Sequence, residues 1–327
     1  MDKTVPVQQN PVCDPWKSQV WPTRCGIWSS TGHCDGSLTF FDLPEATTSS
    51  ARLFVDDCLL FRRIKKPEDA DLLQKDLSSL EEWEKQWQMC FHPEKCTVIR
   101  VSGRRQQHQT SYSLHGHRLE TIDSGKYLGL TISKDLTWSN HINQTIGKAS
   151  KTLGFLRRNL GRCTPATKAT AYCTLVRPTL EYASPVWDPH QITIIRDIEQ
   201  VQRRAARFVY SCYQDNSPGC VTKLLDQLEW ESLQHRRWKQ SLVLCYKTQH
   251  QMIAIDPAKY YASGDSRTRG NHKFRQTRVK RDVFYHSFFP RTTREWNKLP
   301  ESVVESGSLE DFRARVNIIP WTQPHLK

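Results

Sequence analysis

An α+β fold is predicted for this 327-residue chain by two patterns that follow one another. The run Arg52-Leu53-Phe54-Val55-Asp56-Asp57-Cys58-Leu59-Leu60-Phe61 is apolar and β-favouring except for two adjacent aspartates. It reads as two strands, Leu53-Phe54-Val55 and Cys58-Leu59-Leu60-Phe61, joined by a tight turn that holds both carboxylates at one end of a sheet. Beyond Leu136 the apolar residues recur at three and four positions, the period of helices. The length and a hydrophobic share of 37% suit about two domains with modest cores.

Charge narrows the partners. A net charge of +13 and a pI near 9.3 favour a polyanion, because such an excess repels itself in a compact chain; a merely basic soluble protein is the plainer alternative. Eleven cysteines, odd in number and without a C-x-x-C pair, read as reduced thiols of an intracellular protein, cytoplasmic or nuclear and not secreted. Cys90, His92 and Cys96 lie close together, yet no second ligand pair follows at zinc spacing. There is no run of about 18 apolar residues and no basic-then-apolar leader, so a soluble chain is expected.

Met1 to Leu38 is crowded with proline, tryptophan and cysteine, keeps neither period, and has no predicted element. After the strand pair, Lys66-Pro67-Glu68-Asp69 opens a helix, since proline suits a first turn and acids suit its positive end. Leu73, Leu77, Leu80, Trp83 and Trp87 give that helix one apolar face to lay across the sheet. Phe91-His92-Pro93-Glu94-Lys95-Cys96 leads into a strand at Thr97-Val98-Ile99-Arg100-Val101. A polar loop from Arg104 to Ser111 precedes a short paired segment around Tyr112-Leu114 and Arg118-Leu119 that turns at Gly116, and Lys126-Tyr127-Leu128-Gly129-Leu130-Thr131-Ile132 reads as a further strand.

Trp138, Ile142, Ile146, Leu153, Leu156 and Leu160 then mark a helical stripe, with Lys148, Lys151, Arg157, Arg158 and Arg162 beside it. Thr164-Pro165 caps a second helix whose Ala169, Tyr172, Leu175 and Val176 face inward until Arg177-Pro178 interrupts the pattern. Ile194, Ile198, Val201, Ala205 and Phe208 line a third, with Arg203, Arg204 and Arg207 on another side. Leu224 to Leu242 suggests two more helices, and Leu309, Phe312 and Val316 a last short one. Between them, Gly264 to Arg281 holds Arg267, Arg269, Lys273, Arg275, Arg278, Lys280 and Arg281 against a single Asp265, followed by Phe284, Tyr285, Phe288 and Phe289. Arginines meeting phosphates and aromatics stacking on bases would make this a single-strand or RNA contact; disorder is the competing reading.

Phe54-Val55-Asp56-Asp57 followed by Cys58-Leu59-Leu60-Phe61-Arg62 resembles the Tyr/Phe-x-Asp-Asp hairpin of reverse transcriptases, in the form carried by LINE-type retrotransposons without long terminal repeats, jockey-like elements among them. Further stretches follow in the family's order from about Phe41 to Val316: DLPEATTSSARLF, FHPEKC, KYLGLTIS, LVRPTLEYASPVW, IEQVQRRAARFV and FFPRTTREWNKLPESVV. The resemblance implies a partial palm sheet with a covering helix over 39–135, an all-α thumb-like bundle over 136–215, and a helical, basic, partly irregular C-terminal region over 216–327. Residues 1–38 are unlike the family.

The resemblance also implies RNA-directed DNA polymerisation as the parent activity. Asp56 would be the main ligand of Mg²⁺ and Asp57 its helper, Mg²⁺ being the hard cation that keeps open positions for phosphate oxygens. On the residues alone, an ordinary Asp-Asp turn remains open. Tyr127, Leu128 and Gly129 resemble the primer grip, and Lys95 lies where the family has a lysine near the active site, an exposed loop lysine being the plainer reading. Lys148, Lys151, Arg157, Arg158, Arg203, Arg204 and Arg207, with Arg267, Arg269, Lys273, Arg275 and Arg278, would track RNA or DNA phosphates without reading bases; a solvated charged face is the alternative. Met1 to Leu38 matches neither the family's Gly-rich template segment nor the strand bearing its other catalytic aspartate. The expectation is a reverse-transcriptase fragment, inactive as it stands and weak in Mg²⁺, with a domesticated nucleic-acid-binding module or a relic without a selected role as alternatives.

Overall fold

In the computed structural model the described residues are 19–23, 25–26, 43–55, 57–87, 89–102, 110–262, 264, 273–276, 278–279 and 281–320. They form two compact units, Met1–Thr137 and Trp138–Lys327. Strands lie in the first and helices dominate the second, as an α+β chain requires.

The first unit is built on a sheet of β1 (Gln19–Thr23), β2 (Cys25–Gly26), β3 (Ser50–Phe54), β4 (Asp57–Arg63), β5 (Thr97–Val101) and β8 (Glu120–Ile122). β3 runs antiparallel along one edge of β4, and β1 and β2 pair with its other edge. β1 also pairs antiparallel with β5, so part of the stretch without a predicted element occupies the middle of the sheet. Pro22 and its irregular surroundings hid that strand from any period-of-two reading. The short pair β6 (Ser113–Leu114) and β7 (His117–Arg118) turns at Gly116, whose φ of 71° suits glycine.

Helix α1 (Pro67–Trp87) lays Leu73, Leu77, Leu80 and Trp83 into one core with Leu60, Val98 and Leu114. Asp69 starts it, accepting the Lys65 and Lys66 amides at 2.7 and 3.0 Å. Two acids on the same helix are buried and paired. Asp76 accepts the amides of Thr48 and Ser49 at 2.8 and 2.9 Å, which fixes the approach to β3. Glu84 accepts the Phe91 amide at 2.8 Å and meets His115 Nε2 at 2.6 Å. Cys96 is disulfide-bonded, which corrects the all-thiol expectation at that residue, while Cys58, Cys90, Cys163, Cys173, Cys212, Cys220 and Cys245 are free.

The second unit opens with α2 (Ser139–Asn159), which buries Ile142, Leu153 and Leu156 as the stripe predicts, and Ala149 with them. Thr164 caps α3 (Pro165–Ala171) by accepting the Thr167 amide. The chain then widens into a single π-helical stretch, Tyr172–Val176, in which the Arg177 amide bonds back to the Tyr172 carbonyl. That wide turn admits Pro178, so the helix continues as α4 (Arg177–Glu181) rather than stopping. It also rotates Leu175 out to 55% exposure, correcting the inward face expected of it, while Tyr172 and Val176 stay buried.

After α5 (Ser184–Trp187), helix α6 (Ile192–Val209) buries Ile198, Val201, Ala205 and Phe208. α7 (Cys220–Gln227) and α8 (Leu233–Gln249) follow, the latter capped by Ser232. α9 (Asp282–Tyr285), α10 (Phe288–Trp296), α11 (Glu301–Val304) and α12 (Leu309–Ile318) complete the unit, with Tyr246, Trp296, Phe312 and Val316 in a shared core.

Candidate nucleic-acid interface

The aspartate hairpin is displaced by one residue from its expected place. Leu53 pairs with Cys58 and Phe54 with Asp57, so Asp57 already belongs to β4 and not to the turn, which corrects the expected Asp-Asp turn. Val55 takes a φ of 53°, a left-handed conformation that costs a β-branched residue on the order of 1–2 kcal/mol. Asp56 lies outside the described residues.

β9 (Ser124–Tyr127) and β10 (Leu130–Ser133) show that KYLGLTI is a hairpin and not one strand. Its turn is Leu128-Gly129, with φ values of 47° and 79°; glycine meets the second at no steric cost. The Tyr127 phenol lies close enough to the aspartate hairpin to feel it. Burial raises its pKa, Cys58 and Asp57 add to the rise, and Arg52 opposes it. Lys95 is exposed on the short turn Pro93–Lys95, which packs beside β2, the strand paired with Asp57. Tyr127, Lys95 and Asp57 are thus brought to one region of the first unit. Among the described residues, neither cluster of three metal-ligating groups includes Asp57.

In the second unit the seam between α2 and α6 gathers part of the basic set. Lys151 and Arg158 stand two turns apart on the exposed side of α2, and Arg157 is exposed beside them. Arg204 reaches across from α6 to donate to Ser150 Oγ at 3.1 Å. Gly154, Arg157, Arg158, Gly161, Ser211 and Tyr213 line an open cleft of about 440 Å³. The Arg157 guanidinium lies 4.9 Å from the centre of the Tyr213 ring, and Tyr213 is 47% exposed. An exposed ring beside two guanidinium groups can stack on a base while the cations meet its phosphates. Tyr213 escaped the sequence reading because it lies in the loop after α6, beyond any helical period.

The remaining cations separate from this cleft. Arg207 is an anchor: its Nη1 donates to the carbonyls of Cys212 and Asp215 at 3.1 and 2.6 Å. Arg203 sits near Glu199, the residue that accepts the Gln234 amide at 2.7 Å. Lys148 is exposed on another side of α2. Lys273 is half-buried, Arg275 and Arg278 are exposed, and Arg267 and Arg269 fall outside the described residues. The aromatics expected to interleave with them pack inward in part. Phe289 joins the Trp296 core and stacks on Tyr260, and Tyr285 lies under the Arg294 guanidinium at 3.7 Å.

No helix among the described residues is long and apolar enough to cross a membrane. No family model matches the chain. Three proteins of Drosophila melanogaster are similar to it. The probable RNA-directed DNA polymerase from transposon BS is 26% identical over 206 residues, covering 61% of this chain and 22% of that protein. The RNA-directed DNA polymerase from mobile element jockey is 24% identical over 209 residues, 59% of this chain and 23% of that protein. The probable polymerase from transposon X-element is 22% identical over 163 residues, 49% and 18% respectively. The chain therefore spans about a fifth of the length of the relatives it matches. Over about half its own length it is similar to the reverse transcriptases of jockey-like retrotransposons without long terminal repeats, the resemblance that its motifs carry.

Proposed function

We propose that this chain is a reverse-transcriptase-related module that binds RNA and single-stranded DNA through the basic helices of its second unit, largely without regard to sequence. The observation that carries the reading is the Arg157-Arg158-Tyr213 cleft: one guanidinium lies over an exposed ring and a second exposed arginine lines the same open groove, on a chain with a net charge of +13. Cations neutralise phosphates and release their counterions, and the ring offers a face to any base. Residues 136–215 act as a thumb-like bundle in this reading, and residues 39–135 as a partial palm.

Polymerisation is not proposed for these 327 residues by themselves. The hairpin carries Asp56 and Asp57, but no stretch here resembles the family's earlier aspartate-bearing strand. Fluorescence anisotropy with labelled single strands tests the binding, and primer extension on RNA and DNA templates tests the chemistry. Tyr213→Ala should weaken binding by about 1–3 kcal/mol, the usual value of one stacked base. Tight binding that ignores Tyr213→Ala and Arg157→Ala would refute the cleft. Template-dependent extension abolished by Asp57→Ala would refute the inactivity.

A further inference from the structure

We propose that Cys212, Asp215 and Cys220 form a zinc site that ties the loop after α6 to the start of α7. Each offers one ligand atom, and the three atoms lie within 4.8 Å of one another. The two sulfurs are 3.9 Å apart. Two thiolates bound at about 2.3 Å to one tetrahedral ion stand about 3.8 Å from each other, so this spacing is already that of a zinc edge; a disulfide needs about 2.05 Å.

The ligands are held from behind. Ser217 donates its amide and its hydroxyl to Asp215 Oδ1 at 2.9 and 2.6 Å, which fixes the carboxylate. Arg207 closes the loop on the carbonyls of Cys212 and Asp215, and its charge offsets part of the anionic charge that three bound ligands would carry. Two thiolates with one carboxylate suit zinc better than Cu(I), which favours sulfur alone, or magnesium, which favours oxygen alone. A fourth position stays open to water or another oxygen ligand. Binding releases the two thiol protons to solvent and changes no oxidation state.

A second cluster, His190, Asp282 and His286, is a poorer candidate. Its imidazoles stack face to face at 3.5 Å and 9°, so their in-plane lone pairs run in parallel planes that do not meet at one ion. The cysteine loop also has a stated neighbour: it carries Tyr213 and adjoins Ser211, both lining the Arg157 cleft. Ordering of that cleft by zinc rests on the nucleic-acid reading above; the metal site itself does not.

The test is a titration of the reduced, metal-free full chain with Zn²⁺ against a coloured chelator. One ion per chain with a submicromolar Kd is expected. Cys212→Ser and Cys220→Ser should each weaken it about a hundredfold, and Asp215→Asn, at an exposed residue, about tenfold. Cys163→Ser should change nothing. Co²⁺ should show thiolate charge-transfer absorption in the wild type and lose it in the double cysteine variant. Absence of binding, binding that survives all three variants, binding abolished instead by His190→Ala, or a Cys212–Cys220 disulfide re-forming in place of binding would overturn the proposal. RNA affinity is read separately, so a zinc-binding chain without RNA affinity refutes the cleft and not the metal site.

Discussion

Removing the Asp188 carboxylate should damage the helical unit far more than removing the arginine it faces. Arg237 is fully buried, and its Nε donates to Asp188 Oδ1 at 2.7 Å. Its two terminal nitrogens have no hydrogen-bond partner among the described residues, and its guanidinium lies 5.9 Å from the Trp187 ring. Arg291 approaches the other oxygen of Asp188 at 3.7 Å and also donates to the carbonyls of Pro185 and Asp188. One carboxylate therefore serves two cations. Asp188→Asn keeps the shape and takes from both guanidinium groups the carboxylate they share, leaving Arg237 only the Glu199 charge, a loss of about 3–5 kcal/mol for a buried pair broken from one side. Arg237→Met fills the same space with an apolar chain and leaves Asp188 paired with Arg291, so its cost should stay below about 2 kcal/mol. Hydrogen exchange of the α5 and α8 amides reads this locally, without assuming that both units unfold together. Asp188→Asn should speed their exchange by roughly a hundred- to a few-thousand-fold, since each 1.4 kcal/mol is about tenfold. A change below tenfold, or an equal effect from Arg237→Met, would refute the reasoning.

Val55→Asn should stabilise the aspartate hairpin by about 1 kcal/mol, because asparagine tolerates the 53° φ that valine resists; an unchanged denaturation midpoint of the first unit would count against the left-handed turn. Burial lowers the pKa of His141, which packs edge-on against Trp187, and burial likewise lowers His235 and His286. Each is therefore neutral in the fold at a pH where the unfolded chain takes up a proton. Stability is complete above about pH 6.5 and declines as pH falls below it, so the midpoint of the second unit should drop between about pH 7.5 and 5.5, with a shallower drop in His141→Gln. Mg²⁺ should bind the reduced chain no tighter than millimolar by calorimetry, and a micromolar site lost in Asp57→Ala would show a metal centre that the described residues do not supply.

What was legible in the sequence depended on local pattern. The strand pair around Asp57, the α1 stripe from Leu73 to Trp83 and the Thr164-Pro165 cap are each written in a few neighbouring residues; the stripe and the cap form where expected, and the strand pair forms with its turn displaced by one residue. Features set by backbone geometry were out of reach. The period of KYLGLTI does not announce that Leu128 and Gly129 both turn left-handed, and no residue before Pro178 signals the π-helical stretch that rotates Leu175 outward. Long-range polar pairs were equally hidden. Asp76 and Glu84 lie within the arc of the α1 stripe, but their partners stay hidden until the fold brings Thr48, Ser49 and Phe91 to them, and Arg237 looks like one more surface cation until Asp188 meets it. The candidate interface shows the same division: the charge of α2 was readable from spacing, whereas its partner Tyr213 comes from a loop.

The salt dependence of RNA binding tests the central claim most directly. If about five phosphates are neutralised on a single strand, log affinity should fall with log salt at a slope near −3.5. Replacing Lys151, Arg157 and Arg158 together by alanine should remove about three of those contacts and bring the slope to about −1.4. A wild-type slope near zero, or a slope that this triple variant leaves unchanged, would contradict the assignment of nucleic-acid binding to the α2 face and its cleft.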